Sequence, residues 1–524
     1  MTSKSALQTE SLAELIETLA RERPNSIALW WGGRAITFRE LDERANQVAH
    51  ALLASPRRTR VAVLGRDSEH SFVILFGAAK ACMPVTFVNW RLTPSETRTI
   101  LDDCQISHLF VEASQAVTAR EALAGLASSD IEIEIVSFAG LTGLGDSLSS
   151  WIRGRPTTPL AVRPAPGDVA VVLYTSGTTG QPKGVLLAQR AFLAVRRELS
   201  RAGEDWWGFV PEDIALHSLP LFHVGGLWWA ANVLAAGASL VVTSQFDPDV
   251  ALQLVDSHRV TLACWVPAML RMILTRRALG KHARSLRSIF YGGAPIDAEL
   301  LAATRSTFGC RLTQFYGLTE TGNTAICLRD ADHTGHGARL AAAGLPYPGV
   351  GLRCVNAAGE DCQALEVGEV WLRSPANMLG YWDRPEETAK TLQDGWVRTG
   401  DAGYLDAEGY LYICDRIKDM IISAGENIYP AEIERAILQH PAVYEAAVIG
   451  VPDERWGEAV KAVVAVNQAV SANELIEFLR GRIAEFKLPR SVEFLEALPR
   501  TPSGKVKKHE LRAPHWAGRT RQVN

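Results

Sequence analysis

The densest chemical signal in the chain is the run Tyr174-Thr175-Ser176-Gly177-Thr178-Thr179-Gly180-Gln181-Pro182-Lys183-Gly184. Glycines let backbone N–H groups converge on an oxyanion, hydroxyls add donors, and a lysine adds a point charge. Together they describe a phosphate cradle, with a hydrophilic hairpin loop as the bland alternative. The spacing G-x-x-x-x-G-K-[ST] is absent, which disfavours the P-loop nucleotide hydrolases. A second pair of segments reads Tyr291-Gly292-Gly293-Ala294-Pro295 and Tyr316-Gly317-Leu318-Thr319-Glu320-Thr321. There a tyrosine offers a stacking face and a carboxylate can hold Mg²⁺ beside phosphates, although a structural turn explains each segment as well. Trp396-Val397-Arg398-Thr399-Gly400-Asp401 supplies a carboxylate that can accept from sugar hydroxyls. Pro499-Arg500-Thr501-Pro502-Ser503-Gly504-Lys505 presents a lysine on a Pro/Gly loop.

Short apolar runs alternate with amphipathic segments and would position these groups. RVAVLG (60–65), SHLFVEA (107–113), VAVVLYTSG (169–177), ASLVVT (238–243) and EAAVIGV (445–451) read as buried strands. Thr37-Phe38-Arg39-Glu40 and Thr93-Pro94-Ser95-Glu96 are capping boxes, and Asp247-Pro248 opens a helix in the same manner. Such alternation predicts an α/β architecture with largely parallel sheets. From 345 to 414 Gly/Pro turns separate GVGLRCVN, GEVWLRS and GYLYICD, which suggests a smaller antiparallel β unit. After Asp415 a strand (DMIIS), a helix starting at Pro430, two more strands and a helix near 472–486 form an α+β unit. The expected division is residues 1–415, with 345–415 as the β subdomain, and 416–524 as a small mobile domain.

Composition narrows the class. In 524 residues, 54 Lys+Arg against 58 Asp+Glu give a net charge of −4, which excludes the broadly basic surface of a nucleic-acid binder. The eight cysteines lie without a C-x-x-C pair, as in a reducing compartment rather than a disulfide or zinc scaffold. The first residues, MTSKSALQTESLAELIETL, hold no apolar h-region, so no secretory signal is expected. LWWAANVLAAGASLVV imitates a membrane span, but nearby prolines and glycines make a buried helix followed by a strand the better reading. A cytoplasmic protein without a transmembrane segment is expected. No G-x-S-x-G elbow is present, so a serine hydrolase lacks its main signature.

Taken together, the motifs resemble the adenylate-forming superfamily of acyl-CoA synthetases, luciferases and peptide-synthetase adenylation domains. The resemblance runs from about residue 10 to 512 in the family's motif order. It is strongest to bacterial fatty-acyl-CoA ligases through Lys418-Asp419-Met420-Ile421-Ile422-Ser423 and the helix start at Tyr429-Pro430. It implies a large N-terminal domain of stacked αβ subdomains with a small β unit, followed by a mobile C-terminal domain. It also implies ATP, Mg²⁺ and coenzyme A as reactants. Thr175, Ser176, Gly177, Thr178, Thr179, Gly180 and Lys183 would lie over the ATP phosphates. Gly292, Gly293, Ala294, Tyr316 and Gly317 would form the adenine pocket. Thr319 would touch the α-phosphate and Glu320 would bind Mg²⁺. Asp401 would hold the ribose, with Arg416 near ribose and phosphate. Lys505 would be the adenylation lysine and Lys418 the hinge, while Gly425 and Glu426 would lie against CoA. Asn427 stands where some relatives carry a basic residue.

For the acid, the resemblance places the pocket at Leu219-Pro220-Leu221-Phe222-His223-Val224-Gly225-Gly226, with His223 beside the carboxylate. A packing histidine is the alternative. Amino-acid-activating relatives place an aspartate in this region, and Phe222-His223 favours an acid without an α-ammonium group. Trp228 and Trp265 are bulky enough to shorten an acyl tunnel, and core packing explains them equally well. The reading is an AMP-forming acyl-CoA ligase for a medium- or long-chain fatty acid, with a homodimer as a candidate assembly. Alternatives are an aryl-acid CoA ligase, an acyl-AMP ligase loading a carrier protein, and a non-catalytic nucleotide-binding protein. Against the last, Lys505 and Glu320 accompany the loop. His333-Thr334-Gly335-His336 lacks a third metal ligand nearby, and Lys507, Lys508, His509 and Arg512 are expected to form a solvated basic tail.

Overall fold

In the computed structural model the described residues are 6–56, 58–126, 133–139, 145–176, 182–276, 283–294, 296, 298–334, 339–423, 426–453, 456–500 and 506–517. Their backbone contacts divide into two units. One comprises 1–352 with 372–397, and the other 353–371 with 398–524. The expected β subdomain is thus shared between them, and the expected boundary after Asp415 falls inside the second unit.

Two sheets build the first unit. The nine-stranded sheet runs Leu345–Pro346, Ile326–Leu328, Arg311–Tyr316, Ser288–Gly292, Leu262–Trp265, Ile214–His217, Ser239–Val242, Ile27–Trp31, Arg34–Thr37. Its interior pairs are parallel and its outer ones antiparallel. The eight-stranded sheet runs Gly380–Tyr381, Pro182–Ala188, Val169–Ser176, Val85–Val88, Val61–Leu64, His108–Val111, Glu134–Ser137, Asp146–Ser147. All five expected strands appear where the apolar runs lie. Val61–Leu64, His108–Val111 and Ser239–Val242 are parallel strands buried on both faces, which read as continuous apolar runs. By contrast, Val169–Ser176 is antiparallel on one side and Val443–Asp453, in the second unit, pairs antiparallel. The three caps form, although for Thr37 the structure shows only its own half of the expected box. Thr37 accepts from the Glu40 amide, Thr93 and Glu96 form a reciprocal box, and Asp247 accepts from the Asp249 and Val250 amides. The membrane-like stretch is the helix Val224–Ala235 followed by the strand Ser239–Val242. Among the described residues no helix is long and apolar enough to cross a membrane.

Successive side chains on a strand face opposite ways, and the nine-stranded sheet shows it. Leu240, Leu262, Cys264 and Phe290 join a core shared with Phe72, Phe110, Leu173, Trp228 and Trp229. Val241, Ala263, Trp265, Ile289 and Tyr291 join a second core with Leu270, Ile273 and Leu300.

In the second unit, residues 401–405 pair with Leu411–Arg416 as a hairpin. A further sheet holds Glu426–Ile428, Ile421–Ser423, Gly457–Val466 and Val443–Asp453, with Ser491–Phe494 parallel to Gly457–Val466. One face packs on the helices Pro430–Ile437 and Ala472–Leu479 through Ile433, Ile437, Val448 and Leu475. The second of these helices stops earlier than expected because Gly481 takes a left-handed φ of 75° just beyond it.

The basic tail requires correction. Residues Lys508–Trp516 form a helix whose Leu511 packs on Ile449, Val463 and Leu498. Lys508 Nζ lies 2.7 Å from Glu434 Oε1, with side-chain exposures of only 15% and 18%. Glu434 also accepts from the Val448 amide at 2.7 Å. Arg512 pairs with Asp419 one turn later. Burial raises the Glu434 carboxyl while Lys508 draws it down, and Glu434 and Asp415 hold the lysine above its ordinary value against its own burial. Removing one partner strands a buried charge. Lys508→Met is therefore expected to cost about 3 kcal/mol in urea unfolding of the full chain at neutral pH. The deficit should shrink as the pH is lowered, because a carboxyl with a raised folded-state pKa gains stability on taking up its proton. Lys508→Met with Glu434→Gln, which keeps the acceptor for Val448, should recover more than half. A double variant no better than the single one would remove the pair from the unit's stability.

Candidate active site

The Ser/Thr/Gly loop closes an antiparallel hairpin. Thr175 stands opposite Lys183 and Tyr174 opposite Gly184 on the strands Val169–Ser176 and Pro182–Ala188. Ser176 pairs with Pro182 through the backbone. The Ser176 side chain and Gly177, Thr178, Thr179 and Gly180 lie outside the described residues. Two anchors fix the hairpin's base. The Tyr174 hydroxyl donates to Asp103 Oδ2 at 2.6 Å, and Asp103 also takes Arg384 at 2.7 Å and the Trp382 indole on its carbonyl at 2.8 Å. Gly184 admits a close approach that a side chain would block, since a Cβ there would lie 2.8 Å from Val172 Cγ1.

That approach brings in the strand Gly380–Tyr381, which the sequence reading did not single out. Tyr381 pairs with Val185, and its hydroxyl donates to Glu320 Oε1 at 2.9 Å. Lys183 Nζ sits 5.4 Å from the Tyr381 ring centroid. Burial and the Glu320 charge push the Tyr381 hydroxyl well above its ordinary range, so it stays a donor. The clue in the sequence was the short run Gly380-Tyr381-Trp382 before Pro385, but one turn-flanked tyrosine names no partner.

Glu320 sits in the tight turn Thr319–Thr321, which follows the strand Arg311–Tyr316. Thr321 caps the turn, accepting from the Leu318 amide at 2.9 Å and donating to its carbonyl at 3.1 Å. The Met378 amide donates to the Glu320 carbonyl at 2.8 Å. Gly317 permits the backbone to fold this tightly, because a Cβ there would lie 2.1 Å from the Asn323 carbonyl oxygen. Gly292 ends the adjacent parallel strand opposite Phe315. Gly292, Gly293 and Ala294 therefore emerge beside Tyr316 and Gly317 at the carboxyl ends of neighbouring parallel strands, where open α/β sheets bind ligands.

His223 precedes the helix Val224–Ala235, its ring 4.6 Å from that of Phe222. The helix start lies near the Glu320 turn, since a Cβ on Gly225 would be 3.5 Å from Asn323 Oδ1. The tryptophans do not share a cavity. Trp228 packs between Trp207 and Phe315 in one core, while Trp265 packs with Phe308 across the sheet in the other, both fully buried.

In the second unit, Asp401 is buried and Arg416 Nε lies 2.6 Å from its Oδ1, the two residues facing each other across the hairpin. The Asp401 amide donates to Thr399 Oγ1, whose hydroxyl donates to the Val370 carbonyl at 2.7 Å. Lys505 lies outside the described residues, but its loop is tied at the base. Arg500 bridges Val506, and the Lys507 amide donates to the Pro499 carbonyl at 2.8 Å. Lys418 belongs to the turn Ile417–Asp419, with its side chain outside the described residues, as are Gly425 and the Glu426 side chain.

His333 is a packing residue, with Nδ1–H donating to the Arg329 carbonyl and Nε2 accepting from the Tyr291 hydroxyl, and burial lowers its pKa. The cysteines are free thiols, and burial pushes Cys264 and Cys327 up to about 12. Among the described residues no group of three His, Cys, Asp or Glu side chains gathers to cage a metal. A lone carboxylate such as Glu320 suits Mg²⁺, which takes one or two carboxylates and fills its shell from phosphates and water.

Comparison with known proteins gives the family. The AMP-binding enzyme family matches residues 16–382, and the AMP-binding enzyme C-terminal domain matches residues 432–505. The chain is 44% identical over 523 residues to a fatty acid–[acyl-carrier-protein] ligase of Streptomyces coeruleorubidus, covering 99% of each. It is 38% identical to an indoleacetate–CoA ligase of Aromatoleum aromaticum, covering 96% and 97%. Among solved structures, ATP-bound MatB of Rhodopseudomonas palustris superposes with a TM-score of 0.85 at 30% identity, covering 96% of this chain and 98% of that one. The chain belongs to the AMP-binding, adenylate-forming enzyme family and is an acid–thiol ligase of the AMP-forming type.

Proposed function

We propose that this ligase activates a fatty acid as its acyl-adenylate and passes the acyl group to the thiol of a phosphopantetheine arm borne by a carrier protein. The observation that carries the adenylation half is the convergence of the hairpin residues Thr175 and Lys183, through Tyr381, on the Glu320 turn. The carrier-protein acceptor is supported by the 44% identical relative, and coenzyme A is the second reading, supported by the 38% identical CoA ligase. Phe222 and His223 at the helix start favour an acid without an α-ammonium group.

In the first half-reaction the carboxylate attacks the α-phosphorus of ATP and pyrophosphate leaves. Thr175, the loop after it and Lys183 hold the phosphates, Thr319 donates to the α-phosphate, and Tyr316 stacks on the base. Glu320, oriented by Tyr381, would hold Mg²⁺, which would supply positive charge against the phosphates. Lys505 stabilises charge developing on the α-phosphate, and Asp401, held by Arg416, accepts from the ribose. In the second half-reaction the thiol adds to the acyl carbonyl and AMP departs. Lys418 is the pivot between the two states, and Gly425 and Glu426 receive the pantetheine arm. His223 lies at the carboxylate end of the acid.

Pyrophosphate release across C2 to C18 acids, benzoates and cinnamates is expected to peak on aliphatic acids. Thioester should form faster on a phosphopantetheinylated carrier protein than on coenzyme A. Release with aryl acids alone would replace the acid class, and faster transfer to coenzyme A would replace the acceptor. Lys505→Ala should slow adenylation more than about 100-fold while leaving thioester formation from supplied acyl-adenylate within a few-fold. Equal loss in both half-reactions would remove its assigned role. Tyr381→Phe should raise the Mg²⁺ concentration needed for half-maximal pyrophosphate release about tenfold, with recovery at high Mg²⁺. An unchanged Mg²⁺ dependence would show that Tyr381 does not orient Glu320.

A further inference from the structure

Two buried ionisable groups take no part in the chemistry above. Asp67 is 7% exposed and His217 is 0% exposed. Asp67 follows the strand Val61–Leu64 of the eight-stranded sheet, and His217 ends the strand Ile214–His217 of the nine-stranded sheet. They meet with His217 Nε2 3.3 Å from Asp67 Oδ2. The ring of Phe72 stands edge-on 5.3 Å from the imidazole. The same carboxylate accepts the Leu221 amide, at 3.0 Å on Oδ2 and 3.4 Å on Oδ1. Burial raises the Asp67 carboxyl above its ordinary value against the pull of His217 and the Leu221 N–H. A buried carboxylate is costly unless it is well bonded, and here its bonds end on His217 and on the turn that holds Leu221.

Leu221 lies in the short connection between His217 and the helix that His223 precedes. The His223 amide donates to the Pro220 carbonyl at 3.0 Å, and the Gly226 amide donates to the His223 carbonyl at 3.0 Å. On the helix side, a Cβ on Gly226 would lie 2.3 Å from the Pro220 carbonyl oxygen and 2.5 Å from that of Leu219. The connection is gripped from both sides, by Asp67 on its Leu221 amide and by the bare Gly226 backbone on its carbonyls.

We infer that Asp67 and His217 are positioning residues that fix the Leu219–His223 turn and, through it, the place of His223 at the carboxylate end of the bound acid. The functional part of this inference rests on the acyl-site reading above; the grip on the turn does not. Asp67 holds the turn directly, and His217 holds Asp67 in register with both sheets.

The test is hydrogen exchange of residues 219–224 in the full chain, together with steady-state kinetics in both substrates. Asp67→Ala should speed exchange there by about tenfold or more and raise KM for the acid about tenfold, leaving KM for ATP within twofold. Asp67→Asn keeps an acceptor for the Leu221 amide and should restore most of both. His217→Gln should show the same pattern at smaller size, and it decides the matter if Asp67→Ala does not fold. Unchanged exchange at 219–224 would overturn the inference, as would a rise in KM for ATP equal to that for the acid. If wild-type protein activates no acid, the functional reading fails, and the exchange measurement alone decides whether the grip exists.

Discussion

A single hydrogen bond, 2.9 Å from the Tyr381 hydroxyl to the Glu320 carboxylate, closes a circuit through three separate parts of the first unit. One part is the hairpin that presents Lys183, another is the turn that presents Glu320, and the third is the segment 378–384 lying across both. The segment is bound to each by backbone. The Met378 amide bonds to Glu320, the Leu379 amide to Leu186, and the Trp382 amide to Gly184. Backbone bonds set the path of the segment, and the tyrosine specifies where the carboxylate points. A carboxylate that accepts a hydrogen bond from a group that stays protonated keeps its direction.

The circuit works because the two sheets deliver rigid ends to it. Parallel strands buried on both faces cannot shift register without exposing apolar side chains, so Gly292 and Tyr316 stay side by side. Glycine then does what no side chain could at Gly317 and Gly184, where backbone or ring atoms fill the space of a Cβ. The polar groups needed for chemistry are thus carried on short turns at strand ends, with their supports drawn from the packed interior. The Asp67–His217 pair extends the same arrangement to the turn before His223, this time with a buried charge rather than a tyrosine.

The parts of this structure legible in sequence are those where one local pattern decides the outcome. Apolar runs became strands, Thr37, Thr93 and Asp247 became caps, and the Ser/Thr/Gly run became a hairpin connection flanked by Thr175 and Lys183. The unread parts are long-range. Tyr381 is 61 residues from Glu320, and Asp67 is 150 from His217, and neither spacing carries a periodic signal. The tryptophans were ambiguous for a physical reason. Helical Trp228 and strand Trp265 both favour burial, and only the alternation through Cys264 and Trp265 shows that they enter different cores. Charge counted along the sequence misled at the C-terminal end. Lys508 and Arg512 look like a solvated run, but at helical spacing they share one face and find Glu434 and Asp419.

That last point bears on how one lysine can be set apart in a basic stretch. Lys508 and Arg512 are spent on buried carboxylates, and Lys507 pairs with Glu510 at 2.7 Å. These cations fasten the helix that begins just after the loop of Lys505, while Arg500 pairs with Glu445 on its other side. The loop is thereby pinned at both ends by neutralised charges. Pinning by ion pairs does what apolar packing alone would not. It fixes the footing on both sides of the loop while pairing each flanking cation with a carboxylate. Among the described residues Arg500, Lys507, Lys508 and Arg512 each have a carboxylate partner, so the cations flanking the loop are balanced where they stand.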